Sequence, residues 1–80
     1  MINVRIISAK SSLYDGQAEA VLFPSALGEF EVLPHHADLL STLTSGTIRI
    51  RESVDNTKQL QIHSGIVRVQ NGEITACVEL

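Results

Sequence analysis

Polar and apolar residues alternate along most of this chain, with the period of two expected of half-buried β-strands. Ile2, Val4 and Ile6 share one face of a first strand ending near Ser8, and Asn3, Arg5 and Ile7 share the other. Ser11 and Ser12 mark a break. Asp15-Gly16 reads as a turn, because glycine accepts positive φ and aspartate can bond its own backbone. A strand is expected over Gln17 to Phe23, with Ala18, Ala20 and Leu22 opposed to Val21 and Phe23. A loop through Pro24, Ser25 and Gly28 then follows. Glu29 to Leu33 resumes the alternation, with Phe30 and Val32 on one face and Glu29, Glu31 and Leu33 on the other, until Pro34 ends any central pairing. In Asp38 to Leu43 the spacing of Leu39, Leu40 and Leu43 is helical and Asp38 could be a cap. The run is too short for a stable helix, so a strand is expected.

Beyond Gly46 the pattern is cleaner. Ile48 and Ile50 face inward against Thr47, Arg49 and Arg51, and after a turn-rich stretch from Ser53 to Thr57 a second strand carries Leu60 and Ile62. Pairing Ile50 with Leu60 and Ile48 with Ile62 would set Glu52 opposite Lys58, a favourable cross-strand charge pair. Asn71-Gly72 is the strongest two-residue hairpin signal in the chain. It predicts Gln70 against Glu73, Val69 against Ile74 and Val67 against Ala76, leaving Ile66, Arg68, Thr75 and Cys77 on the opposite face. The expected fold is all-β: one domain over residues 1–80, an antiparallel sandwich or flattened barrel of eight to ten short strands. No helix or long charged strand is at hand to cover the sheet edges, so a docked partner is expected to do so.

Length sharpens that expectation, since a domain of 80 residues is small enough to be marginal without outside support. One cysteine, Cys77, cannot form an internal disulfide, and it reads as a small packed or half-exposed side chain. The three histidines, His35, His36 and His63, lack the spacing of a structural zinc site. Six basic against nine acidic side chains, dispersed along the chain, argue against nucleic acid as a partner; Arg49 and Arg51 read as solvated side chains. Tyr14, Phe23 and Phe30 are too few for a base-stacking platform. No apolar run approaches the roughly 20 residues that span a bilayer, and no charged leader precedes an apolar segment, so no direct membrane insertion is expected.

Catalytic chemistry does not assemble. His36, Asp38 and several serines are present, but neither a G-x-S-x-G elbow nor a glycine-rich phosphate loop occurs. Adjacent strand residues point to opposite faces, so at most one of His35 and His36 can join Asp38 on a metal. The expectation is no catalytic residue, cofactor, metal or small-molecule substrate, with one histidine exposed and the other a polar contact.

The order Gly28, Val32-Leu33-Pro34, His36, Leu39-Leu40, Leu43, Gly46 resembles the signature of the epsilon subunit of F-type ATP synthase, which runs roughly G-E-x-G-I-L-P-x-H-x-P-L-L-x-x-L-x-P-G. The opening MINVRIISAKSSLYDGQAEAV is similar to that family's first strand and turn. Ser64 to Val69, followed by Asn71-Gly72 and Ile74, is similar to its closing S-G-G-F-x-E-V-x-x-N-x-V-T-V. Three departures stand out. Glu31 replaces a usual glycine, Asp38 and Ser45 replace two prolines, and Ile66 and Arg68 replace a glycine or aromatic and a glutamate, reversing the charge at the latter position.

The resemblance implies a non-catalytic rotor subunit that couples the c ring to the gamma subunit on the cytoplasmic face of a bacterial inner membrane. It places Gly28, Glu29, Phe30 and Glu31 against the c ring, and His36 and Leu39 against gamma. Members of the family usually continue into two carboxy-terminal helices, whereas this sequence stops at Leu80. Neither ATP binding nor helix-mediated inhibition is therefore expected of these residues. The alternative is a free-standing adaptor sandwich with His35, His36 and Asp38 as a polar hot spot.

Overall fold

The computed structural model describes all 80 residues and contains nine strands. These are β1 (Ile2–Ile7), β2 (Ser12–Ala18), β3 (Ala20–Ser25), β4 (Gly28–Val32), β5 (Leu39–Leu43), β6 (Gly46–Ser53), β7 (Asn56–Ile62), β8 (Ser64–Gln70) and β9 (Glu73–Glu79). They form a five-stranded sheet in the order β2-β1-β9-β8-β5 and a four-stranded sheet in the order β4-β3-β6-β7. The inner faces are the apolar halves of the alternating strands. Ile2, Val4, Ile6, Val67, Val69, Ile74, Ala76 and Val78 come from the larger sheet, and Val21, Phe23, Val32, Ile48, Ile50 and Ile62 from the smaller. No polar or charged side chain is buried, so the core is held by apolar burial and packing alone. Of 51 backbone hydrogen bonds, 45 lie within the strands, and the open edges of the two sheets are β2 and β5 in one and β4 and β7 in the other.

All pairings are antiparallel except one. β1 lies parallel to β9, so the first and last strands meet inside the five-stranded sheet. Local alternation could not show this, because it fixes which face a residue takes and not which strand lies beside it.

Three further expectations are corrected. Asp15-Gly16 is not a turn: both residues lie within β2, paired with Arg5 and Val4. Gly16 serves a different purpose, since a Cβ there would lie 3.3 Å from Tyr14 Oη and crowd the ring that lies over it. The strand expected over Gln17 to Phe23 is instead divided at Glu19, whose N–H donates to Arg51 O at 2.8 Å as the chain passes from one sheet to the other. Pro24 belongs to β3 and pairs with Glu29. Its missing donor is tolerated because the β3–β6 ladder stops at Leu22 and Arg49, short of the proline. Gly46 then passes so close that a Cβ would sit 2.8 Å from Pro24 Cβ, which makes it a packing glycine.

The β6–β7 register is also corrected, by two residues: Ile48 pairs with Leu60 and Ile50 with Lys58. A two-residue slip keeps every side chain on its face, so the apolar pattern fits both registers equally well. The tight turn at Val54-Asp55 and a bulge that skips Glu52 decide the outcome. Glu52 consequently does not face Lys58. It accepts a hydrogen bond from the Tyr14 hydroxyl on β2 and another from Asn56 Nδ2 at 2.7 Å, tying one sheet to the other.

Burial, and then the hydrogen bond and negative charge of Glu52, push the Tyr14 hydroxyl up to about 12. A group whose folded value is raised contributes stability that is fully present below its unfolded value, near 10, and is lost as pH rises toward 12. Denaturant midpoints of the wild type should therefore fall between pH 10 and 12, and Tyr14→Phe should flatten that part of the profile. An unchanged alkaline slope in Tyr14→Phe would show that the clasp does not form.

Candidate functional site

Two stretches carry the residues that the sequence singled out, and β4 separates them. The β3–β4 hairpin turns at Ala26-Leu27, closed by Ser25 Oγ donating to Gly28 O at 2.6 Å, with Gly28 at φ 110° where a side chain would be strained. Leu27 projects from the tip and is fully exposed, the most open large apolar side chain in the chain. Sequence reasoning passed over it, although an apolar residue in a two-residue turn has no core to enter.

Along β4 the alternation divides the expected group. Glu29 and Glu31 are exposed, while Phe30 turns inward against the core, its ring 5.6 Å from that of Phe23 and inclined by 29°. Glu29 Oε2 lies 3.3 Å from Arg49 Nη1, the sole salt bridge. Both partners are nearly half exposed, so the pair contributes about 0–1 kcal/mol and leaves Glu29 available to another cation.

At the far end of β4, Pro34 and His35 form a tight turn in which His36 N–H donates to Leu33 O at 3.2 Å and His35 takes a φ of 65°. Proline followed by a positive φ is the geometry of a type II turn. His36 is half-buried, and its Nδ1 donates to Ala37 O at 2.7 Å. Asp38 Oδ1 accepts from Asn71 N–H at 3.2 Å, pinning this loop to the β8–β9 hairpin. No group of three or more His, Cys, Asp or Glu side chains converges here or elsewhere.

β5 follows the loop with an inward set of Leu39, Ser41 and Leu43. Leu39 packs against the core, and its neighbour Leu40 is the one turned outward, 68% exposed. Leu40 stands on the outer face of the five-stranded sheet, paired with Arg68, and the next row along that face is Thr42, Ile66, Cys77 and Ile7. This row borders an open groove of about 650 Å³ that also involves Ala9 and Val78. The outward apolar residues Leu40 and Ile66 were legible from the alternation of β5 and β8, but only the strand order reveals that they share one surface.

The chain thus offers an apolar tip with two carboxylates behind it and, separately, a flat face mixing aliphatic and charged side chains. Both are surfaces that can meet another protein. Residues 1–79 match the family model described as the ATP synthase, delta/epsilon chain, β-sandwich domain. The ATP synthase epsilon chain of Acidithiobacillus ferridurans is 37% identical over 78 residues, 98% of this chain and 55% of that one. That of Synechococcus elongatus is 34% identical, over 96% of this chain and 56% of that one. The chain therefore spans just over half the length of these relatives.

Among solved structures, a chain of the Euglena gracilis mitochondrial ATP synthase, in a structure of OSCP, F1 and c-ring, superposes with a TM-score of 0.89 at 18% identity. The superposition covers 96% of this chain and 49% of that one. A chain of the central stalk and c-ring of the Tetrahymena thermophila mitochondrial enzyme gives 0.80 at 15% identity, over 98% and 63%. At such identities the superpositions speak to the sandwich alone, but the family match runs from Met1 to Glu79. This chain belongs to the delta/epsilon family of ATP synthase subunits, as its β-sandwich domain.

Proposed function

We propose that this sandwich is the coupling module of a non-catalytic rotor subunit in an F-type ATP synthase, seated between the gamma subunit and the c ring during proton-driven ATP synthesis. The family match over residues 1–79 carries the reading. The two surfaces support it. The β3–β4 tip, with Gly28 beside Leu27 and with Glu29 and Glu31 beyond, suits the polar loops of the ring, and Phe30 stiffens the hairpin from inside. The outer face of the five-stranded sheet suits gamma: Leu40 makes the contact and Leu39 supports it from beneath, while His36, in the loop that leads into β5, is a second candidate contact.

A wholly apolar core between two hydrogen-bonded sheets makes a stiff spacer, the property needed to pass torque without making or breaking a covalent bond. No helix is long and apolar enough to cross a membrane. The proposed location is peripheral, on the cytoplasmic face of a bacterial inner membrane, through the complex. Co-expression with the gamma subunit of the same synthase should yield a one-to-one complex on affinity capture of either partner. A well-folded chain that leaves gamma behind would favour a free-standing adaptor and contradict the rotor reading.

A further inference from the structure

The outer face of the five-stranded sheet carries two adjoining rows of different character. One is the aliphatic row of Thr42, Ile66, Cys77 and Ile7; the other, two residues along each strand, is Leu40, Arg68, Thr75 and Arg5. Arg5 and Arg68 are both exposed and flank Thr75, so their backbones stand two strand spacings, about 10 Å, apart on one flat surface. Neither forms a salt bridge, although Asp15 stands directly across from Arg5 on β2 and Glu73 lies two residues before Thr75 on β9. The paired arginine, Arg49, belongs to the other sheet. Asp15, Glu73 and Glu79 share the face of Arg5 and Arg68, so it is not uniformly positive; Arg68 is the arginine whose own cross-strand neighbours, Leu40 and Thr75, carry no charge and whose adjoining row is aliphatic.

We infer that Arg68, with Arg5 beside it, is a specificity determinant of the docking face and receives the carboxylate of an acidic side chain on the gamma subunit. The inference rests on the rotor reading and adds the chemistry of the partner surface, an aliphatic patch bordered by at least one Asp or Glu. A guanidinium presents a planar fork that matches a carboxylate through two hydrogen bonds, a geometry that lysine lacks. Once Ile66 and Leu40 are covered, water is displaced from the neighbouring Arg68 as well. An unpaired charge there opposes binding, so a partner surface lacking the acid is rejected.

The test is titration of the gamma subunit of the same synthase with the full chain and its Arg68→Glu, Arg68→Lys and Arg5→Glu variants, at low and high salt. Melting curves serve as the fold control, since both positions are exposed. Arg68→Glu should weaken binding about 10- to 100-fold and remove most of its salt dependence, Arg5→Glu should weaken it less, and Arg68→Lys should recover part of the loss. Wild-type affinity for gamma in Arg68→Glu would overturn the inference and leave the rotor reading standing. A wild-type chain that does not bind gamma would remove the rotor reading and the inference together. Binding to phosphatidylglycerol vesicles that is lost in Arg68→Glu while gamma binding is unchanged would assign the face to lipid headgroups and overturn the inference as well.

Discussion

Replacing Phe23 by alanine should cost about 3–5 kcal/mol and lower the melting temperature by roughly 15–30 °C. Phe23 is fully buried, the largest side chain in a core that buries only 18 of 80 residues, so its loss leaves a cavity that few neighbours can fill. It also removes the ring on which Phe30 stacks. Phe30→Ala should cost less, because that ring is only half-buried, but its main effect should still be on stability and only secondarily on assembly. Thermal unfolding of the two variants checks both statements. A loss of less than about 1 kcal/mol for Phe23→Ala would mean that the two sheets are not closed over this ring.

The second large effect distinguishes neighbouring leucines. Leu39→Asp places a carboxylate where an aliphatic side chain packs against the core, and should destabilise the domain by about 2–4 kcal/mol. Leu40→Asp changes an exposed side chain and should leave stability within about 0.5 kcal/mol of wild type while weakening gamma binding about 10- to 100-fold. Denaturant unfolding and gamma titration of the two variants separate the roles. The opposite assignment, a stable Leu39→Asp that loses gamma beside a Leu40→Asp that binds normally, would mean that β5 presents its other face to the partner.

How far the sequence could be read depended on whether the determining contact was local. The β8–β9 hairpin was fully legible because Asn71 and Gly72 adopt the positive φ values, 53° and 73°, that their two-residue turn demands, and the register follows from the turn. The β6–β7 register was not, because the apolar pattern is blind to a slip of two and the tie from Glu52 to Tyr14 joins residues far apart in sequence. Asp15-Gly16 looked like a turn because the sequence does not say that the glycine makes room for a tyrosine two residues earlier. The exchange of sheets at Glu19 passes through Ala-Glu-Ala, which contains no breaking residue.

The site was legible in part. Period two already placed Phe30 on the face of Val32 and away from Glu29 and Glu31, which conflicts with grouping all of them against one partner. Once β5 is a strand, buried Leu43 assigns Leu39 to the inside and Leu40 to the outside. What no local pattern could supply was the juxtaposition of Leu40, Arg68, Thr75 and Arg5, since that row exists only because β1 inserts beside β9.

The central claim is that this sandwich joins gamma to the ring, and a side-chain-resolution reconstruction of the synthase purified from the organism of origin tests it most directly. The predicted result is one copy per complex, with the outer face of the five-stranded sheet covered by gamma and the Leu27–Gly28 tip directed at the c ring. A reconstruction in which another chain occupies that place, or in which the face bearing Leu40 and Arg68 is open to solvent, would contradict the account.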